Sequence, residues 1–180
     1  TADHRGVVRI WDRATGTCTT TLTGRTQRPV HSMAIAPDST WLALHRGAIV
    51  RLWDRATETW TSTLTGHMQD VYSVAIAPDG TWLASADYDG VVRIWDRATG
   101  TCTTTLTGHT GSVHSVAIAP DGTWLATAGN DGTVRIWSVS GQRTVAIARA
   151  EGALFSCSWG PTGELAVGGD RGLFVFTFLP

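Results

Sequence analysis

The amino-acid sequence predicts an all-β chain made from one repeated unit, and three observations support this prediction. The phrase WDRATGTCTTTLTG at 11–24 recurs unchanged at 95–108, and the close variant WDRATETWTSTLTG stands at 53–66. A constant step of 42 residues separates four tryptophans: Trp11, Trp53, Trp95 and Trp137. Short apolar stretches alternate with turn sequences throughout. A fixed step of this size indicates a supersecondary unit copied in tandem.

Each unit reads as four short strands, as residues 67–108 illustrate. VYSVAIA at 71–77 alternates β-branched or aromatic residues with small ones, and PDGT at 78–81 has the chemistry of a turn. Three further strands follow, separated by turns, at 82–86, 91–96 and 101–107. A meander of about 40 residues buries too little surface to fold alone. Such sheets become stable when they stack around an axis, so the sequence predicts a β-propeller of four-stranded antiparallel blades.

The repeat pattern also predicts a division of the chain. Residues 1–24 form the second half of a blade, 25–66, 67–108 and 109–150 form complete repeats, and 151–180 form an incomplete terminal blade. The last segment has Thr177 where the other units have Trp, and terminal repeats are often atypical. We therefore expect a partial ring, the C-terminal arc of a larger protein. Unpaired strand edges at its two ends predict self-association.

The composition disfavours nucleic-acid-binding and membrane-spanning proteins. The net charge of −1 disfavours a nucleic-acid-binding surface, although 14 Arg could form a local stripe. No apolar run approaches 18 residues, which excludes a transmembrane helix. Three cysteines at these positions argue against a disulfide framework and favour a reducing, cytoplasmic location. The use of Arg without any Lys is typical of a GC-rich bacterial coding sequence.

The repeated Gly-His pair, PDG turn, D-G turn and Trp-Asp ending resemble WD40 repeats, closely over 1–150 and loosely over 151–180. The resemblance implies a hydrogen-bond network in each blade, running from Trp through Ser or Thr and His to Asp. Two sets of residues fit this network: His67, Ser85, Asp89 and Trp95, and His109, Thr127, Asp131 and Trp137. A Ser-His-Asp set also suggests nucleophilic catalysis. Its duplication in adjacent repeats favours the structural interpretation, so the sequence predicts no catalytic residue.

The same resemblance implies a partner-binding rim at the exposed upper positions of the blades. Carried over position by position, these are Asp70, Tyr72 and Tyr88 in one unit, Ser112, His114 and Asn130 in the next, and, shifted by an insertion, Arg28, His31 and His45. His31 and His114 share a repeat position, which suggests the hypothesis that they bind a metal ion. They lie in different blades without Cys or carboxylate at ligand spacing, so the sequence predicts no metal and no other cofactor.

The leading functional hypothesis is a non-catalytic scaffold that holds a protein partner. The phrase GHTGSVHSVAIAPDGTWLATAGNDGTVRIW resembles the C-terminal WD40 arrays of bacterial STAND-class signalling NTPases. The chain itself has no GxxxxGK[ST] phosphate-binding loop. Two alternatives remain open: a propeller enzyme with its active site in the central channel, and a nucleic-acid-binding scaffold.

Overall fold

The computed structural model describes residues 1–2, 6–22 and 29–178, and this part of the chain contains no helix. It contains seventeen strands: β1 (Val8–Trp11), β2 (Cys18–Leu22), β3 (Met33–Ile35), β4 (Trp41–Arg46), β5 (Ile49–Asp54), β6 (Thr59–Leu64), β7 (Val71–Ile76), β8 (Trp82–Asp87), β9 (Val92–Asp96), β10 (Cys102–Leu106), β11 (Val113–Ile118), β12 (Trp124–Gly129), β13 (Thr133–Ser138), β14 (Arg143–Arg149), β15 (Leu154–Trp159), β16 (Glu164–Gly169) and β17 (Gly172–Thr177).

These strands form five antiparallel sheets, numbered here as blades 1 to 5 in chain order. Blades 2, 3 and 4 each have four strands paired in sequential order, whereas blade 1 consists of β1 and β2 and blade 5 of β15 to β17. The predicted all-β architecture with four-stranded antiparallel blades is confirmed. The alternation of apolar and small residues located the strands of blade 3 to within one residue at each end.

Side-chain acceptors fix the turns at one edge of the sheets. Asp79 accepts hydrogen bonds from the Thr81 amide (2.9 Å) and hydroxyl (2.8 Å) between β7 and β8. Asp96 accepts from the Thr99 amide (2.8 Å) and hydroxyl (2.8 Å) between β9 and β10, and these bonds lower the pKa of Asp96. Short acceptors of this kind satisfy turn amides locally. We call this edge the lower edge, and the edge at which the first strand of each blade begins the upper edge.

The core lies between the blades. Four apolar clusters each combine residues from two consecutive blades; in one, Val50 and Leu52 of blade 2 pack with Val71, Val74 and Trp95 of blade 3. At the upper edge the backbones also approach closely. Gly132 has a φ of +68°, and a Cβ placed on it would lie 2.8 Å from the Ala150 carbonyl oxygen. Burial therefore depends on stacking, as expected for repeats that cannot fold alone.

The described residues form an open arc: an apolar cluster joins each blade to the next, whereas no cluster or strand pairing in this part of the chain joins blade 1 to blade 5. Ile35 of blade 2 is 62% exposed. Its repeat equivalents Ile76 and Ile118 pack against the clusters between later blades. At the other end of the arc, Leu173 and Val175 of β17 are exposed. Apolar side chains are thus in contact with solvent beside the two-stranded blade 1 and on the last strand of blade 5.

Candidate functional site

A row of aromatic side chains crosses four blades near the upper edge. It consists of His31, Tyr72, His114 and Phe155, which occupy the same position of the repeat, immediately before a serine. The ring centroids of His31 and Tyr72 lie 5.8 Å apart, those of Tyr72 and His114 lie 5.2 Å apart and stack, and those of His114 and Phe155 lie 5.4 Å apart. We call these four residues the aromatic row. Their mutual contacts make one continuous surface.

The serines that follow the aromatic row hold neighbouring blades in register. The Val74 amide donates to the Ser32 hydroxyl (3.1 Å), the Val116 amide donates to Ser73 (3.1 Å), and the Cys157 amide donates to Ser115 (3.0 Å). Each bond links the first strand of one blade to a serine of the blade before it: Ser73 and Ser115 lie within β7 and β11, and Ser32 lies just before β3. Hydrogen bonds between serine side chains and backbone amides, at the residues next to the aromatic row, therefore fix its spacing.

Three more of the proposed rim residues extend this surface. Tyr88 is 54% exposed, and its ring packs edge-on against Tyr72 at a centroid distance of 6.2 Å. The Asn130 side-chain oxygen lies 2.9 Å from His114 Nε2. Asp70 is exposed, and its carbonyl oxygen accepts the Tyr88 amide (3.0 Å). The structure thus brings together Asp70, Tyr72, Tyr88, His114 and Asn130.

Ser112 and His45 do not lie on the exposed rim, which corrects the sequence-based expectation. Ser112 is buried, and its carbonyl oxygen accepts the Asn130 amide (2.8 Å). His45 is only 1% exposed because the residue missing from the β4–β5 turn shortens this hairpin and leaves position 45 inside strand β4. The third residue proposed for this unit, Arg28, lies outside the described residues.

The buried His45 completes the short first strand of blade 2. Its Nε2 atom accepts the amides of His31 and Ser32, both at 3.1 Å, where strand β3 does not extend. Burial, followed by the influence of nearby His31, lowers the pKa of His45 to about 4. A neutral imidazole is required here, since a protonated Nε2 could not accept two amide hydrogens.

Two surface residues were missed by sequence reasoning. Phe155 belongs to the aromatic row by its repeat position, and the serine that follows it was an available signal. Met68 is 85% exposed in the loop that leads into β7. Its repeat equivalent is Thr110, so the change of residue type between the two units was the only sequence signal that Met68 belongs to a variable surface. Exposed methionines adapt readily to varied partners.

The buried network of blade 3 has the connectivity of a catalytic triad. Ser85 Oγ lies 2.6 Å from His67 Nε2, and His67 Nδ1 lies 2.6 Å from Asp87 Oδ2. Ser85 also accepts the indole N–H of Trp95 at 2.8 Å, so its own hydrogen is directed towards His67. Ser85 is fully buried, so no substrate can reach its hydroxyl in this conformation. The arrangement ties the third strand through the second to the upper loop.

The carboxylate in this network belongs to Asp87 and not, as the sequence suggested, to Asp89. Asp89 contributes only its amide, which donates to Asp87 Oδ1 at 3.0 Å. The repeat equivalent of Asp87 is Gly129, and a Cβ there would lie 3.3 Å from His109 Nδ1. An acidic side chain at the position of Asp87 therefore lies next to the imidazole. It takes the place at Nδ1 that the carboxylate two residues later occupies in a blade with glycine at this position.

Blade 4 uses the other position. His109 Nδ1 lies 3.0 Å from Asp131 Oδ2, His109 Nε2 lies 2.7 Å from Thr127 Oγ1, and the Trp137 indole donates to Thr127 at 2.8 Å. Burial works to raise the pKa of Asp131, but hydrogen bonds from Thr133, the Thr110 amide and His109 lower it to about 2. Burial lowers the pKa of His109. The network therefore favours an ionised carboxylate beside a neutral imidazole.

No group of three or more metal-ligating side chains occurs in the described part of the chain, which includes His31 and His114. Nor do these residues contain a helix long and apolar enough to cross a membrane.

The comparisons with known proteins agree with the fold. A family model described as "WD domain, G-beta repeat" matches residues 16–54, 58–96 and 100–138, which together cover more than half of the chain. A comparison with curated proteins finds no match.

Proposed function

Because the chain belongs to the WD40 repeat family, whose repeats generally mediate protein–protein interactions, we propose that it is a non-catalytic scaffold that binds a protein partner through its upper edge. The observation that carries this proposal is the aromatic row. Its four rings, on four consecutive blades, form a preorganised surface about as long as a short extended peptide. Aromatic residues held in fixed positions provide large contact areas at low entropic cost.

We further propose that the scaffold acts within a larger signalling protein. The support is the resemblance of the repeat sequence to the WD40 arrays of bacterial STAND-class NTPases, in which a nucleotide-binding domain precedes a sensor array. In such a protein the aromatic row would bind a cytoplasmic partner protein, and this binding would regulate the nucleotide-binding domain.

A peptide-display selection tests the binding proposal. A random library of 12-residue peptides is selected on the purified chain, and the binders are measured against a variant with Tyr72→Ala and His114→Ala. We expect binding to fall by roughly tenfold or more, because aromatic residues that act as binding hot spots contribute about 2 kcal/mol or more. A matched control carries Thr103→Ala and Thr105→Ala, exposed positions of the outer strand β10.

The selection distinguishes binding at the upper edge from binding elsewhere on the chain. Peptides that bind the control variant and not the aromatic-row variant support a binding site on the upper edge. Peptides that bind both variants equally, or a library that yields no binder, would overturn the proposal. Unchanged thermal unfolding of the variants shows that a loss of binding is local.

A further inference from the structure

A cleft with aromatic walls opens at the lower edge between blades 4 and 5. Its volume is about 310 Å³, and its lining residues include Pro120, Asp121, Trp124, Trp159, Pro161 and Phe178. The Phe178 ring meets Trp124 in a T-shaped contact at a centroid distance of 5.1 Å, and it meets Trp159 in the same way at 6.2 Å. We call this space the lower cleft. It lies at the edge opposite the aromatic row and is therefore separate from the site of the proposed function.

The three rings of the lower cleft are held in place from below. All three pack against the apolar cluster between blades 4 and 5, and the Trp159 indole N–H donates to the Ala117 carbonyl oxygen at 3.2 Å. Trp159 occupies the repeat position that carries Ile76 and Ile118 in the preceding blades, so the aromatic ring is specific to blade 5. Walls that are already ordered lose little entropy when a ligand binds.

The equivalent place between blades 2 and 3 holds a cation of the chain itself. Trp41 begins β4 as Trp124 begins β12, and Arg97 follows β9 as Phe178 follows β17. The Arg97 guanidinium lies over the Trp41 ring, 4.7 Å from its centroid, and Arg97 and Asp38 line the same cavity. A tryptophan near a turn aspartate therefore already accommodates a guanidinium in this fold.

The lower cleft keeps the tryptophan and the turn aspartate but has an aromatic ring where blade 3 has its arginine. Asp121 is the repeat equivalent of Asp38, since each follows the proline of its turn. The Asp121 carboxylate accepts the Thr123 hydroxyl (2.6 Å) and amide (3.0 Å), and these bonds lower its pKa. An ionised carboxylate and the negative faces of the rings attract positive charge together.

The other charged residues at the lower edge of the described parts of blades 4 and 5 are Arg143 and Glu164. Arg143 begins the outer strand β14, lies in register with Trp124 across two strands, and is exposed. Glu164 accepts the hydroxyl of Thr162, which lines the cleft. Because these two charges are opposite, the attraction for a cation comes from the rings and Asp121.

We propose that the lower cleft binds an arginine side chain of a partner protein, with the guanidinium against Trp124 and Trp159 and paired with Asp121. Arginine fits better than lysine because its planar group both stacks on an aromatic ring and pairs with a carboxylate. This contact goes beyond the proposed function, and it holds whether or not the upper edge binds a peptide.

The capped tripeptide acetyl-Gly-Arg-Gly-amide is the probe, and the indole N–H signals in the NMR spectrum of the chain report where it binds. Trp124→Phe and Trp159→Ile assign the two signals of the cleft. We expect both signals to move during titration. The same tripeptide with citrulline, a neutral isostere of arginine, should bind several-fold more weakly.

Two variants test the walls of the cleft. Asp121→Asn and Trp159→Ile should each weaken binding of the arginine tripeptide roughly threefold. Isoleucine is the residue at this position in blades 2 to 4, so the second variant keeps the packing of the fold. The matched control is Asp79→Asn, since Asp79 accepts the amide and hydroxyl of Thr81 in the equivalent turn of blade 3. The control and the aromatic-row variant should bind the tripeptide like the wild-type chain.

Four results would overturn this inference. Equal binding of the arginine and citrulline tripeptides would show that the cleft takes uncharged groups. Equal weakening by Asp79→Asn and Asp121→Asn would show general charge attraction, and equally tight binding of tetramethylammonium would show a general cation site. Movement of the Trp159 signal on dilution of the chain alone would place a second copy in the cleft. Each result leaves the aromatic row untouched, so the proposed function is tested separately.

Discussion

Asp87 illustrates how a single buried residue is constrained by all of its neighbours. One carboxylate oxygen faces His67 Nδ1 at 2.6 Å, and the other accepts the amides of Asp89 and Val91. The side chain therefore meets only donors, which an ionised carboxylate alone can satisfy on both oxygens. An acid here matters for stability and not for an exposed binding function.

Replacing Asp87 with Asn should destabilise the chain by about 1–3 kcal/mol, because the amide nitrogen of Asn would face a donor in either orientation. Chemical unfolding measures the difference. The matched control is Asp89→Asn, whose carboxylate is exposed, and we expect it to change the free energy of unfolding by less than about 0.5 kcal/mol. A loss of stability in Asp89→Asn as large as that in Asp87→Asn would contradict the assignment of the network carboxylate to Asp87 alone.

His45 should make stability depend on pH. Its pKa of about 4 in the folded chain lies below the ordinary value of 6.5, so the unfolded chain binds more protons between these values. Stability is then complete above about pH 6.5 and falls as the pH decreases towards 4, by roughly 3 kcal/mol in total. His45→Gln keeps an acceptor for the two amides without titrating.

The measurement compares the free energy of unfolding of the wild-type chain and His45→Gln at pH 7 and at pH 4.5. We expect the wild-type chain to lose more stability than the variant over this range. Other groups, including His109, titrate in both proteins and cancel in the difference. Parallel pH profiles would refute the assignment of the effect to His45.

The sequence predicts some residues of the hydrogen-bond network and of the rim correctly and others wrongly. Comparison of units located the His, Ser or Thr, and Trp positions, because the same letters recur at a fixed step. It selected Asp89 because Asp131 is its equivalent, yet no sequence shows which of two acids lies nearer an imidazole. It placed His45 on the rim because a missing residue shortened the turn, and only the strand register shows that position 45 stays inside β4.

At the scale of elements, the serines that follow the aromatic row join the first strands of successive blades. The Ser73 hydroxyl accepts the buried amide of Val116 at 3.1 Å. These strands share no ladder of backbone hydrogen bonds, so each serine supplies a polar link across a largely apolar interface. The period-2 pattern predicted the strands themselves. It could not predict a bond between positions 43 residues apart, which depends on how the sheets stack.

Ser73→Ala should leave the Val116 amide without an acceptor and destabilise the chain by about 1–2 kcal/mol. Ser156 is the repeat equivalent in blade 5, where it is exposed. Ser156→Ala is therefore the control, with little expected change. Hydrogen exchange of the Val116 amide gives a local readout, and it should accelerate only in Ser73→Ala. Unchanged protection of this amide would contradict the proposed role of the serine.

At the scale of the whole molecule, the arc buries each blade against the next and leaves its two ends uncovered. The alternation of strands and turns predicted the blades, and the step of 42 residues predicted that they stack. The sequence could not predict the aromatic row as a continuous surface, since contacts between rings of different blades depend on the rotation from one blade to the next. That rotation follows from side-chain packing in the clusters between blades.

The exposed ends should make the 180-residue chain associate with itself. Ile35 of blade 2 is exposed beside blade 1, which has only two strands. Val175 is exposed on β17, which has no neighbour beyond it among the described residues. Uncovered apolar faces and unpaired edges recruit further strands, and a lysine on an edge opposes this. We expect the weight-average mass from light scattering to increase with concentration, and Ile35→Lys and Val175→Lys each to reduce the increase. Ile147→Lys, at another exposed position, in β14 within the arc, should not. A chain that remains monomeric at all concentrations, or three variants that associate like the wild type, would show that the ends of the arc do not drive association.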